Sequence, residues 1–444
     1  MVSVRLLAPR PTRLLTPVKA LRLLQSRLIA VLVSLNAAKL RRLLLRGGSL
    51  YGAFALLLGG FYRHPLELVE VTARVNFTIV RTVLAYVLRG CKPLYPEWTL
   101  GFEVVRAVVR LTLSGYGDRL LLPQNAQHVR WQSEWVGTAL GFVSTRQLGT
   151  SVEPFQHMGL EHLWIRSRTP PVAKSGRVHR VVVLYYHGGG FAVMSPRWYI
   201  AFASEVQSRV AKLLHAQLGE HDDDAAIHVQ VLLANYRKIP EHPYPLPCDD
   251  ALSMYEYLLT HEKLSPSQII LGGDSAGGAL VMSTLLRIRN HQPVNTPLAA
   301  LLVCPFIDME SGGNEHEYPH CIIGDRLGIA IYANYLPKEG DVWSWGDASP
   351  AHCDLQGLPP VYIQAAELDY LLPNSKRLYE KAKADGATDW TMDVHKNLPH
   401  VFSTFPTLLL PSASQGLDAL AGFAARHFAS SIKKTQDGHV ALTA

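Results

Sequence analysis

The feature that most narrows the folds open to this chain is a serine set among small residues, Gly273-Asp274-Ser275-Ala276-Gly277. The apolar run before it, Gln268-Ile269-Ile270-Leu271-Gly272, reads as a short buried strand, and Ala279 to Arg289 after it reads as a helix. A serine at the apex of a strand–turn–helix is the context of a nucleophile elbow, in which a sharp turn holds the hydroxyl out at the end of a sheet. Gly273 and Gly277 suit such a turn, because side chains there would collide with neighbouring backbone. The pentapeptide alone is a modest signal, since short patterns of small residues recur by chance.

A second motif upstream supplies what a reactive serine lacks. The run Val181-Val182-Val183-Leu184-Tyr185-Tyr186 is strand-like and ends in His187-Gly188-Gly189-Gly190-Phe191. An acyl-transfer serine needs donors aimed at the oxyanion that develops on the attacked carbonyl, and removing one typically costs about a hundredfold in rate. Three successive glycines leave backbone N–H groups bare. The N–H groups of Gly188, Gly189 and Ala276 are the expected donors, with His187, Gly190, Gly273, Asp274 and Gly277 supporting the two turns. A flexible turn would explain the glycines equally well if they stood alone.

On a nucleophile elbow the remaining partners follow in the order acid, then histidine. A strand-like run Pro360 to Ala366 ends at Glu367-Leu368-Asp369, and another, Trp390 to His395, leads into the loop Lys396-Asn397-Leu398-Pro399-His400. Asp369 is the candidate acid and His400 the candidate base, with Glu367 and His395 as alternatives. The base would take the Ser275 proton and return it to a leaving alcohol, while the acid holds the imidazole tautomer.

From about Tyr185 to about Phe405 these motifs resemble the hormone-sensitive-lipase branch of the α/β-hydrolases. Asn235-Tyr236-Arg237, Pro240-Glu241 and Pro243 to Pro245 resemble that branch's Tyr-Arg-…-Pro-Glu-…-Pro segment, continued by Pro247, Asp249 and Asp250. Ser349-Pro350, Leu358-Pro359-Pro360 and Leu398-Pro399-His400 match it around the acid and the histidine. The chain departs from the pattern at Pro373, where a second acid is common, at Val401, where Gly is common, and at Lys238-Ile239, where Leu-Ala is usual. The resemblance implies an α/β fold with a mostly parallel central sheet flanked by helices. It implies a serine carboxylic-ester hydrolase for lipophilic esters, with no cofactor and no metal. The expected substrate is a short acyl group such as acetyl on a bulky apolar alcohol. A lipophilic-amide deacetylase, a long-chain lipase and a non-catalytic receptor for a small ligand use the same fold and stay open.

Strand and helix runs alternate from about 180 to 430, as expected for a parallel sheet covered on both faces. The expected helices are Pro196–Leu214, Pro247–His261, Ser275–Asn290, Asn374–Asp385 and Leu417–Phe428. The organisation expected is a basic apolar segment over 1–66, a helical cap or arm over 67–150, and a catalytic domain over 151–434 with a cap insertion near 313–340. Five scattered cysteines with no C-x-x-C spacing argue against a disulfide framework or a zinc site.

The net charge of +7 is local in origin. Before Glu67 there are 11 Lys or Arg and no Asp or Glu; of the 43 basic side chains 32 remain beyond that point, against 36 acidic ones. Leu, Val and Ala dominate between the early charges, which excludes a polar nucleic-acid-binding arm. The stretches Leu28–Leu35 and Leu50–Tyr62 are each shorter than the ~18–20 residues of a simple spanning helix. Three readings fit: an interfacial membrane segment, placing the protein on an intracellular membrane such as the endoplasmic reticulum or a lipid droplet; an organellar transit peptide; or part of a cap in a soluble protein.

Overall fold

The computed structural model describes residues 58–173, 177–218, 225–310, 314–341 and 343–443. The early runs Leu28–Leu35 and Lys39–Arg46, and most of Leu50–Tyr62, lie outside the described residues. Strand β3 (Val178–Tyr186) shows why the chain forms layers. Val182, Leu184 and Tyr186 enter one apolar cluster with helices α5 (Leu246–Thr260) and α6 (Ala276–His291). Val181, Val183 and Tyr185 enter another with α4 (Ile200–Leu218) and α9 (Ala413–Thr443). A strand covered on both faces reads as a continuous apolar run, and each fully buried Val or Leu contributes roughly 1.5–3 kcal/mol relative to exposure.

The sheet has eight strands, ordered β1 (Thr150–His157), β2 (Leu160–Ser167), β4 (Ala226–Ala234), β3, β5 (Ile269–Asp274), β6 (Ala299–Val303), β7 (Val361–Ala366) and β8 (Trp390–His395). Strands β3 to β8 run parallel. The β1–β2 hairpin is antiparallel, and β2 pairs antiparallel to β4. This hairpin is additional to the strands expected from Val181 onward. It turns on Met158-Gly159, both with positive φ (51° and 75°), the backbone of a two-residue hairpin loop.

Strand order reverses at β3, whose neighbours are β4 on one side and β5 on the other. In open α/β sheets ligands bind at the carboxyl ends of strands beside such a switch point. His187 follows β3 and Ser275 follows β5, so the two motifs share that place.

Helices α1 (Pro65–Leu88), α2 (Leu100–Tyr116) and α3 (Pro123–Leu148) precede the sheet. Helix α2 packs on α7 (Asp325–Tyr335). The Arg110 guanidinium donates to the carbonyls of Glu315 (3.2 Å), Tyr318 (3.2 Å), Cys321 (2.9 Å) and Ile323 (3.3 Å), which pins the segment entering α7 to α2. The expected helix from Pro196 begins as a 3-10 turn over Pro196–Tyr199 and becomes α4 only at Ile200. Helix α8 (Leu372–Ala384) takes Pro373 in its first turn, where a missing N–H does no harm.

Candidate active site

Ser275 adopts φ 50° and ψ −119°, a backbone state that costs on the order of 1–3 kcal/mol for a non-glycine residue. Neighbouring backbone holds it there. Its N–H donates to the Val303 carbonyl at the end of β6 (2.9 Å), and its own carbonyl accepts from Gly278 N–H (3.0 Å) and Phe306 N–H (2.9 Å). A Cβ on Gly277 would lie 2.0 Å from the Tyr186 carbonyl oxygen, so only glycine lets the elbow seat against the end of β3. Helix α6 starts at Ala276, which aims its positive end at the half-buried serine.

The glycine loop is held from below by Asp274. Its fully buried carboxylate accepts from the Tyr199 hydroxyl (2.8 Å), the Tyr185 hydroxyl (3.1 Å) and Gly188 N–H (3.0 Å). Gly188 N–H also lies 3.1 Å from the Tyr199 oxygen. This corrects one expectation: the Gly188 amide is committed to Asp274 and faces away from any substrate. Gly189 (φ 106°) and Gly190 (φ 60°) turn the chain the other way. Among the described residues neither of their N–H groups, nor that of Ala276, has a hydrogen-bond partner. Burial raises the Asp274 carboxyl to about 6, against the Tyr199 and Tyr185 hydroxyls, which favour the carboxylate.

His187 is a structural member of this loop. Its ring stacks on Tyr236 (centroids 4.5 Å apart, planes 22° apart), and its Nδ1 lies 2.7 Å from the Gly188 carbonyl oxygen. The Tyr236 hydroxyl donates to the His187 carbonyl (2.8 Å). Burial, and then the Lys238 charge, push the imidazole well below its usual pKa, so it is neutral. Lys238 is buried as well. It donates to Asn235 Oδ1 and the Tyr236 carbonyl (3.0 Å), and its ammonium sits 4.8 Å from the Tyr236 ring centroid. Burial first, then Arg130, lower it to about 7.

Asp369 and His400, 31 residues apart in the chain, meet after β7 and β8. His400 Nδ1 lies 3.0 Å from Asp369 Oδ2, and both side chains are buried. Leu371 N–H donates to Asp369 Oδ1 (2.9 Å), and the Cys321 thiol lies 3.6 Å from the same oxygen. Val401, with φ 49°, donates its N–H to Cys304 Sγ (3.4 Å). Cys304 directly follows Val303, the residue that holds Ser275. The alternatives do not converge: Glu367 is exposed and accepts from Asn397 N–H (2.8 Å), while His395 packs on Phe402 with centroids 4.8 Å apart.

The thiols of Cys304 and Cys321 and the hydroxyl of Tyr199 were not legible as site residues, because no local motif marks them and each comes from a different element. Tyr236 and Lys238 lie in a segment whose motif was legible, but the packing of Tyr236 on His187 and of Lys238 on Tyr236 was not. Among the described residues two groups have metal-ligand spacing, Cys304-Asp369-His400 and Asp308-Glu310-His352. In the first, burial and then Asp369 raise the Cys304 thiol far above its usual pKa, and His400 Nδ1 is already committed to Asp369. In the second, Asp308 is paired with Arg377 and with His352 (3.0 Å). Neither donor set offers an open cation site.

Residues 183–404 match the family described as the alpha/beta hydrolase fold. An acetyl-hydrolase from Streptomyces hygroscopicus is 31% identical over 59% of this chain and 78% of its own length. An esterase from Acinetobacter venetianus is 29% identical over 55% of this chain and 74% of its own length. A crystal structure of an esterase from the bacterial hormone-sensitive lipase family superimposes with a TM-score of 0.58 at 29% identity, covering 76% of this chain and 100% of the other. The chain belongs to the α/β-hydrolase family, in its hormone-sensitive-lipase-like branch.

Proposed function

We propose that Ser275, His400 and Asp369 act together as the catalytic triad of this protein, a serine carboxylic-ester hydrolase. The observation that carries the assignment is the buried His400–Asp369 pair, tethered through Cys304 to the strand end that holds the strained Ser275. With Nδ1 bound to the carboxylate, Nε2 is the base. It takes the proton from Ser275 Oγ as the oxygen attacks the ester carbonyl, then gives it to the departing alkoxide. Water attacks the acyl-enzyme with His400 again as base, and the acid leaves as Ser275 Oγ recovers its proton. The amides of Gly189, Gly190 and Ala276 hold the oxyanion in both steps.

The substrate is a small lipophilic ester. Support comes from the roof over the glycine loop: a Cβ on Gly190 would lie 2.4 Å from Ile331 Cδ1 on α7, Phe191 stacks on Tyr335 at 3.9 Å, and Phe306 meets Tyr332 at 5.4 Å. Such a wall favours an apolar group near the reacting carbonyl. The short-acyl preference is supported by the acetyl-hydrolase relative. Residence at a membrane surface is supported by the acid-free basic sequence before Glu67.

Fluorophosphonate labelling with peptide mapping, beside turnover of p-nitrophenyl acetate and butyrate, tests the assignment. The label is expected on Ser275, and Ser275→Ala should lose at least about a thousandfold in kcat. Label on another residue, or turnover retained in the variant, would remove the serine from its role.

A further inference from the structure

Helix α1 carries two apolar faces, and the fold uses one. Leu68, Val71 and Val75 are buried on the face packed against α2. On the opposite side Leu66, Val69, Phe77, Val80, Leu84 and Leu88 are all exposed, with Leu66 at 79%, Phe77 at 68% and Leu88 at 86%. Ala73, also exposed, fills the gap between Val69 and Phe77. These positions recur every three or four residues, so they form one stripe along roughly 35 Å of helix. Single exposed apolar residues need no explanation, but a continuous stripe of this length does.

The helix is long and apolar enough to cross a bilayer by length and composition. It is not free to do so. Its inner face is part of the packed body, and Glu67 at its start pairs with Arg119 (2.6 Å), both nearly buried. A helix held along one side and apolar along the other can lie in an interface but not thread it. The sequence leading into it holds 11 Lys or Arg and no Asp or Glu; beside the stripe Arg81 is exposed, and the exposed Glu70 is neutralised by Arg74 (2.8 Å). Anionic headgroups complement that charge, whereas a second copy of this chain would repeat it.

We infer that the outward stripe of α1 is a monotopic docking surface for an anionic lipid interface. The stripe sinks to the level of the acyl chains, with exposed Arg81 at its edge to meet the headgroups. This extends the reading of a lipophilic substrate to the place where the protein meets its lipid. Its test is separate, because vesicle binding is read without turnover.

The full chain is co-sedimented with phosphatidylcholine–phosphatidylserine vesicles and with pure phosphatidylcholine vesicles. Binding is expected to the mixed vesicles and to weaken with salt. The double variant Phe77→Glu/Leu84→Glu should lose roughly tenfold or more in vesicle affinity, with p-nitrophenyl butyrate turnover in solution unchanged. Equal vesicle binding by variant and wild type would overturn the proposal. So would a wild-type dimer that the variant splits while neither binds vesicles. Should the double variant not fold, Phe77→Cys carrying an environment-sensitive dye decides. A blue shift on adding mixed vesicles supports the docking surface, and an unshifted spectrum in the presence of vesicles that bind the protein overturns it. Loss of esterase activity in every protein, with docking intact, would count against the hydrolytic reading alone.

Discussion

The two sides of the proposed active site are held in opposite ways. On the nucleophile side, backbone does most of the holding: a strained serine, a glycine at van der Waals limit against β3, and a carboxylate that ties Gly188 to two tyrosines. On the acid–base side, side chains do it: a carboxylate–imidazole pair, one backbone amide, and two thiols. The first arrangement is over-determined by local geometry, so single substitutions there should distort it gradually. The second hangs on one hydrogen-bonded carboxylate–imidazole pair between two loops, so removing either partner should be close to all-or-none.

Four changes put that contrast under strain. Asp369→Asn should have the largest effect, lowering kcat by roughly 10³–10⁴ with little change in KM, because the amide stabilises the wrong imidazole tautomer. Steady-state turnover of p-nitrophenyl butyrate reads it, and a loss below tenfold would mean the acid is supplied elsewhere.

Asp274→Asn tests the other side and should cost about 10–100-fold, since an amide still accepts one of the bonds that fix the glycine loop. It also carries a pH signature. The Asp274 carboxyl is raised from 3.8 to about 6 in the folded protein, so its relative stabilisation is complete below pH 3.8 and is lost as pH rises through about 6. Wild type should therefore gain about 2 kcal/mol on the variant between pH 7 and pH 4, seen in denaturant melts at the two values.

Lys238→Leu should leave kcat almost untouched and raise stability by about 1–3 kcal/mol at pH 6. The lysine is lowered from 10.5 to about 7, so the cost of its charge is complete below about pH 7 and disappears as pH rises toward 10.5. The gain in Tm should shrink over that range. Asn235 Oδ1 keeps an acceptor role after the change, because Tyr236 N–H also donates to it (3.0 Å). Cys321→Ala should be the mildest, a roughly twofold to fivefold drop in kcat, since a thiol is a weak donor to a carboxylate that retains Leu371 N–H and His400.

What the sequence made legible follows the same division. The elbow and the glycine loop are each contiguous, and their constraints are steric, so the residue types alone marked both turns and the strand-like runs that lead into them. Which amides point at substrate was not legible. Gly188, Gly189 and Gly190 are identical as residues, and only the buried Asp274 beneath them decides that the first is turned inward. The pairing of Asp369 with His400 was expected from their positions after two strand-like runs, yet the thiols beside them come from Cys304 and Cys321, whose proximity depends on how β6 and the segment before α7 fold back. The β1–β2 hairpin went unread because β1 is mostly exposed or half-buried and mixes polar with apolar residues, so it lacks the continuous apolar run that marked the inner strands. The outward stripe of α1 shows the same limit: its sequence is apolar on two faces, and only the packing of α2 separates the covered face from the bare one.

One peptide linkage, between Val303 and Cys304, receives the serine's amide through its carbonyl side and the histidine loop through the adjoining sulfur. Thermal displacement of that strand tip therefore carries hydroxyl and imidazole in the same direction. In the proposed triad this shared anchor would limit how far a displaced sheet tip changes the gap across which the proton moves.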